Sequence, residues 1–175
     1  AGAILTRDAA DVEAWRSIRW HGTDKDRKNS VRVGFNGRMD SFQAAVLLEK
    51  IALADDEIEA RQRIAAYYND RLSQIAAPQR HLDGGVSGYN YYSIRIAARD
   101  DVAGALRQSG VPTAIYYTTP LHQMTAFKDY APDDGLPVTE AVSAEILSLP
   151  MHPYLTPDQS AYICDCVEEA VGRAR

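Results

Sequence analysis

The stretch Tyr89 to Ala97 (YNYYSIRIA) constrains the fold more than any other. Its residues alternate as a half-buried strand does, so Tyr92, Ile94 and Ile96 share one face. A strand with one apolar face must be covered, and the residues that follow offer covers and neighbours in turn. Arg99-Asp100 opens a helix that runs to Ser109 and ends at Gly110, and Val111 to Tyr117 predicts a second strand. Thr118 to Pro137 is loop-like, with Pro120, Pro132 and Pro137 and the lone Gly135. Val138 to Leu147 predicts a helix, Ser148 to Met151 a short strand and Pro157 to about Ala174 a final amphipathic helix. That order predicts a compact α/β layer, with helices covering one side of a small sheet.

The residues before Tyr89 do not complete that layer. Gly2 to Thr6 predicts a short buried strand with no partner nearby, which implies that its neighbours lie outside this chain. A helix follows, capped by Thr6 or Asp8, with Val12, Trp15 and Ile18 at helical spacing and Gly22 as its stop. Thr23 to Ser30 is a polar loop, and Val31 to Arg38 is irregular, with Gly34 and Gly37 flanking Phe35-Asn36. Asp40 or Ser41 caps a helix from Phe42 to about Leu53. Asp55-Asp56 cap another, from Glu57 to about Ile75, with Ile58, Ile64, Tyr67, Tyr68 and Leu72 on one side. Pro78 to Gly88 is a loop.

The net charge of −5 and a pI near 5.3 argue against a nucleic-acid partner, because phosphate contacts need a clustered basic surface. For the same reason the tyrosines Tyr89, Tyr91 and Tyr92 predict sheet packing rather than a base-stacking platform. Apolar runs such as Ala44 to Leu48 are too short to span a bilayer, and Arg7 and Asp8 interrupt the first one, so a cytoplasmic protein is expected. Cys164 and Cys166 are two apart on a predicted helix and point to nearly opposite sides, which argues against a disulfide or shared metal and predicts partly buried helix residues.

Four phrases in fixed order carry a more specific signal. They are Ala1-Gly2-Ala3-Ile4-Leu5-Thr6; Gly34-Phe35-Asn36-Gly37-Arg38-Met39-Asp40 with Gln43-Ala44-Ala45; Gly110-Val111-Pro112-Thr113 leading to Tyr116-Tyr117 and Pro120-Leu121-His122; and Leu147 to Pro153. Together they resemble the DegT/DnrJ/EryC1/StrS family of sugar aminotransferases that use pyridoxal phosphate (PLP), and the resemblance covers essentially the whole chain. It is nearest the branch aminating a 3-oxo nucleotide sugar, including a 3-oxo-glucuronate.

The resemblance implies an α/β chain forming the C-terminal portion of a fold type I transferase. Residues 1–54 would end the large PLP-binding domain, and residues 55–175 would be the small C-terminal domain. It also implies a homodimer, a nucleotide-sugar substrate and glutamate as the amino donor. The family's PLP lysine lies a few residues upstream of the segment matching residues 2 to 4. None of Lys25, Lys28, Lys50 and Lys128 lies in that context, so the chain is expected to hold no catalytic lysine, to bind no PLP alone and not to transaminate.

By the same resemblance Asn36 matches the asparagine that reaches the PLP phosphate of the partner subunit; read without it, Asn36 is a plain turn residue. Arg38 matches an arginine suited to a substrate carboxylate or phosphate, against a structural pairing with Asp40 or helix carbonyls. Tyr116 and Tyr117 stand where many relatives carry His-Tyr along the sugar-nucleotide pocket, and the usual proline after them is Thr118. The plainer reading of Tyr116 is the end of a core strand. His122 sits on the substrate-side loop, His152 fixes a turn between two prolines, and His21 ends a helix. No third ligand accompanies the histidines, so no metal is expected. Two other readings stay open: a stand-alone sugar-nucleotide-binding or dimerisation module, and part of a PLP-dependent sugar dehydratase of the same family.

Overall fold

The computed structural model describes residues 2–174. Two compact units divide it, Ala1–Ala54 and Asp55–Arg175. Ala1, which opens the first of the four phrases, lies outside the described residues.

In the first unit, helix α1 (Ala9–Arg19) starts where the Asp8 side chain accepts the Ala10 amide, which satisfies one of the donors that every helix start leaves free. It ends at Trp20, because His21 (φ 57°) and Gly22 (φ 72°) adopt left-handed backbone in succession. Helix α2 (Ser41–Ala52) begins at Asp40, whose carboxylate accepts the amides of Phe42 and Gln43. Between the helices the chain doubles back on itself. A Cβ on Gly22 would lie 1.8 Å from the Arg32 carbonyl oxygen, and one on Gly34 would lie 2.1 Å from the Gly22 nitrogen. Only glycines allow the two backbones to meet there.

The expected buried strand at Gly2 to Thr6 is not formed. Ile4 is 75% exposed and Leu5 92%, and no strand among the described residues pairs with them. Apolar character alone does not make a strand without an edge to bond to.

The second unit is built on a three-stranded antiparallel sheet in the order β1 (Ala77–Pro78), β2 (Tyr92–Arg95), β3 (Ile146–Leu149). Tyr92 pairs with Leu149 and Ile94 with Leu147, and all four side chains are buried. Helices α3 (Ala54–Leu72), α4 (Arg99–Gln108) and α6 (Pro157–Ala174) supply the rest of the core through Tyr68, Leu72, Val102, Leu106 and Val167. The predicted face of Tyr92, Ile94 and Ile96 is therefore the one that packs. Tyr68 meets Tyr92 edge-on with ring centroids 5.0 Å apart, and its hydroxyl donates to the Pro150 carbonyl at 3.0 Å. Burial raises the Tyr68 and Tyr92 hydroxyls far above the ordinary tyrosine range. Arg71 ties α3 to α6, its Nε and Nη2 donating to the Glu168 carboxylate and Nη2 also to Asp165.

Several boundaries differ from those the sequence suggests. Asp55 and Asp56 lie within the first turn of α3 rather than capping it, and the helix stops at Leu72. Tyr67 is 36% exposed, at the flank of the packed face of α3 rather than within it. Val111 to Tyr117 is not a strand. Only Ala114 bonds the sheet, exchanging backbone hydrogen bonds with Ser148 at 3.1 and 2.9 Å, and Pro112 has no amide to extend the ladder. Helix α5 (Pro137–Glu145) ends earlier than expected, and β3 takes over Ile146 and Leu147. The two-residue β1 takes in Pro78, the first residue of the expected loop; a proline is compatible with an edge, where a missing N–H costs no ladder bond. Cys164 and Cys166 are free and buried, Cys164 completely, and burial pushes the Cys164 thiol up to about 11.

Candidate functional site

The sequence candidates fall into two groups, one in each unit. In the first, the strand-like approach of residues 35–37 to the end of α1 is set by backbone hydrogen bonds: Phe35 to Ile18 (2.9 Å), His21 to Phe35 (3.0 Å) and Gly37 to Arg19 (2.9 Å). This makes an isolated antiparallel bridge between Trp20 and Asn36. Asn36 is exposed, and its Oδ1 accepts Arg38 Nε at 2.9 Å. The Arg38 guanidinium carbon lies 4.5 Å from the centre of the Trp20 ring. Arg38 thus pairs with Asn36 and Trp20, not with Asp40, whose carboxylate is engaged at the start of α2.

This geometry suits an anion. The Asn36 carbonyl oxygen faces Arg38, which leaves its two N–H donors for another acceptor. Arg38 has spent Nε and retains both terminal nitrogens. A phosphate is a matching ligand for such donors, so Asn36 fits the phosphate end of PLP and Arg38 an anionic group beside it. They do not supply a lysine beside the first segment: Lys25 pairs with Glu13 at 3.1 Å, Lys28 lies in the polar loop, Lys50 in α2 and Lys128 in a single 3-10 turn, Lys128–Tyr130.

In the second unit, Tyr116 and Tyr117 follow the Ala114 bridge and are 51% and 70% exposed. Tyr116 is not buried in a core strand. Its ring lies 4.2 Å from that of Tyr91, centre to centre, which borders an open concavity of about 830 Å³ lined also by Arg80, Tyr89, Asn90, Ser93 and Arg95. A cleft of that size is within the range of small-molecule sites. His122 lies in the turn Leu121–Gln123 with its side chain only 9% exposed, and its Nε2 is 2.9 Å from Glu140 Oε1. The same oxygen accepts the Leu136 amide at 3.2 Å, so one carboxylate fastens both ends of the 121–136 loop. His152 Nδ1 accepts the Tyr154 amide at 3.2 Å within its Pro-flanked turn. Among the described residues no three His, Cys, Asp or Glu side chains are grouped to hold a metal. No helix among them is long and apolar enough to cross a membrane.

The hydrogen bond from His122, with that from Leu136, holds the Glu140 carboxyl below its ordinary value of 4.5. A lowered carboxyl stabilises the folded chain above that ordinary value, and the contribution is lost as pH falls through the lower folded one. Replacing Glu140 by Gln is therefore expected to lower Tm at neutral pH, with the difference from the parent closing below about pH 4.5. Thermal melts across that range check it, and a difference that does not depend on pH contradicts the ionic fastening.

Trp20, Tyr91 and Glu140 were not foreseen as site residues. Tyr91 was visible only as part of a tyrosine run, and Glu140 touches His122 from eighteen positions away, a separation that no local pattern reveals.

Comparison with known proteins adds to this geometry. The model of the DegT/DnrJ/EryC1/StrS aminotransferase family matches residues 1–168. A UDP-2-acetamido-2-deoxy-3-oxo-D-glucuronate aminotransferase of Pseudomonas aeruginosa is 38% identical over 93% of this chain and 45% of its own length. A family aminotransferase from Brucella abortus superposes with a TM-score of 0.90 at 42% identity, covering 94% of this chain and 44% of that one. S. venezuelae DesV, solved with a ketimine intermediate, gives a TM-score of 0.89 at 28% identity over 95% of this chain and 46% of its own. The chain thus spans about half the length of the relatives it matches.

Proposed function

Because the chain belongs to the DegT/DnrJ/EryC1/StrS aminotransferase family, we propose that it is the C-terminal part of a PLP-dependent aminotransferase acting on a keto nucleotide sugar. In this reading residues 1–54 end the large domain and residues 55–175 form the small one. The parent is a cytoplasmic homodimer that takes its amino group from glutamate. When bound, PLP would supply an electron sink for moving the amino group. Asn36 donates its amide hydrogens to a phosphate oxygen of the cofactor in the partner subunit. Arg38 directs its terminal nitrogens at an anionic group of the substrate. Tyr116 and Tyr117 line the sugar-nucleotide side, and His122, tied to Glu140, holds their loop against it. Without the family's lysine the chain alone neither retains PLP nor transfers an amino group.

The observation that carries this reading is the family match through residues 1–168, with Asn36 and Arg38 already paired at 2.9 Å. Co-expression with the N-terminal half of a family relative tests it. The expected product is a dimer with the visible absorbance of bound PLP, which converts a 3-oxo nucleotide sugar to its amine with glutamate. A folded dimer that retains no cofactor contradicts it.

A further inference from the structure

We propose that Trp20 is a positioning residue that presets Asn36 and Arg38 to grip an anion. The proposal rests on the function proposed above and adds a residue and a physical device to it.

Three observations converge on the indole. Its backbone bridges Asn36, which fixes the distance between the end of α1 and the Asn36 turn. The Arg38 guanidinium carbon stands 4.5 Å from the ring centre and that of Arg27 stands 3.8 Å from it. The Arg27 position is reached through a left-handed backbone (φ 58°) that a non-glycine residue rarely takes. The Asp24 carbonyl accepts the Arg27 amide at 3.1 Å, and the Asp24 carboxylate accepts that of Lys28 at 3.0 Å, so the polar loop folds on its own hydrogen bonds to bring Arg27 over the ring. Unfavourable backbone kept in place by surrounding bonds is a feature that a flexible surface loop has no reason to hold.

The consequence is an ordered set of donors. An indole face attracts guanidinium charge, which restricts the plane of Arg38 and offsets its repulsion from Arg27. With that plane set, Nε points back to Asn36 and holds the amide so that its oxygen faces inward. An arginine nitrogen can only donate, so the side of Asn36 facing away must carry the N–H groups. Trp20 thereby orients both residues, although it need not touch the ligand. The surroundings favour the same ligand: residues 14–38 carry seven basic side chains against two acidic ones, in a chain whose net charge is −5.

The test uses the 175-residue chain with inorganic phosphate as probe, followed by the side-chain NMR signals of Arg38 Nε–H and Asn36 Nδ2–H2. In the parent, the Arg38 Nε–H signal is expected upfield from ring shielding and slow to exchange, and both signals are expected to move on adding phosphate. Trp20→Leu is expected to abolish the upfield shift and weaken phosphate binding roughly two- to fivefold. Trp20→Phe, which keeps an aromatic face, is expected to restore most of both. Arg38→Gln identifies any phosphate bound elsewhere on the basic face. If folded Trp20→Leu binds phosphate as the parent does, the positioning role is overturned and the anion site stands. If phosphate moves neither signal in the parent, the anion reading of Asn36 and Arg38 fails and the proposal falls with it.

Discussion

Replacing Tyr68 by Ala is expected to lower the unfolding free energy by about 3–5 kcal/mol, enough to consume much of the stability of a unit this size. The ring is fully buried between the sheet and the helices, meets Tyr92 edge-on and fills space that no neighbour can reclaim without moving β2. Part of the loss belongs to the hydroxyl. Tyr68→Phe leaves the Pro150 carbonyl without its donor and is expected to cost about 1–3 kcal/mol by itself. Urea denaturation followed by far-ultraviolet circular dichroism measures both. A Tyr68→Ala chain as stable as its parent would mean that the sheet and α3 do not pack as described.

The second large effect concerns the proposed cofactor contact. In an assembly with a family N-terminal half, Asn36→Ala is expected to weaken PLP binding roughly ten- to a hundredfold, as for a lost hydrogen bond to a charged group. The same substitution removes the acceptor of Arg38 Nε, so the guanidinium loses a fixed direction as well as the phosphate losing a donor. Titration of the assembled protein with PLP reads the change. Unaltered affinity removes Asn36 from the cofactor site and leaves it as a turn residue that orients Arg38.

What the sequence disclosed, it disclosed through local chemistry. Thr6 or Asp8, and Asp40 or Ser41, announce the starts of α1 and α2, because a helix start needs an acceptor for its free amides, and the structure uses the two aspartates. The alternation at Tyr92, Ile94 and Ile96 announces β2, since a strand places every second residue on one face. Val111 to Tyr117 misled because branched and aromatic residues favour extended backbone without saying whether a neighbouring strand is in reach. The first segment, whose neighbours the sequence places outside this chain, finds no edge among its described residues. Asn36 and Arg38 came from resemblance, not from spacing, and both meet Trp20, sixteen and eighteen residues earlier. Contacts of that kind form only after the backbone has closed, so periodicity carries no trace of them.

The meeting of Gly22 with residues 32 and 34 has a consequence for how such a protein can diverge. Amides of Val31 and Arg32 donate to the Gly22 carbonyl and close the neck of the loop, joined by the Ser30 hydroxyl on the His21 carbonyl at 3.2 Å, so the spacing of Trp20 and Asn36 is set at the neck rather than at the loop's tip. Substitutions between the two glycines can change charge, reach or length at the rim while the neck keeps its width. The rim's charge can then drift without refolding the platform beneath it, whereas a single methyl group at either glycine would force the neck apart.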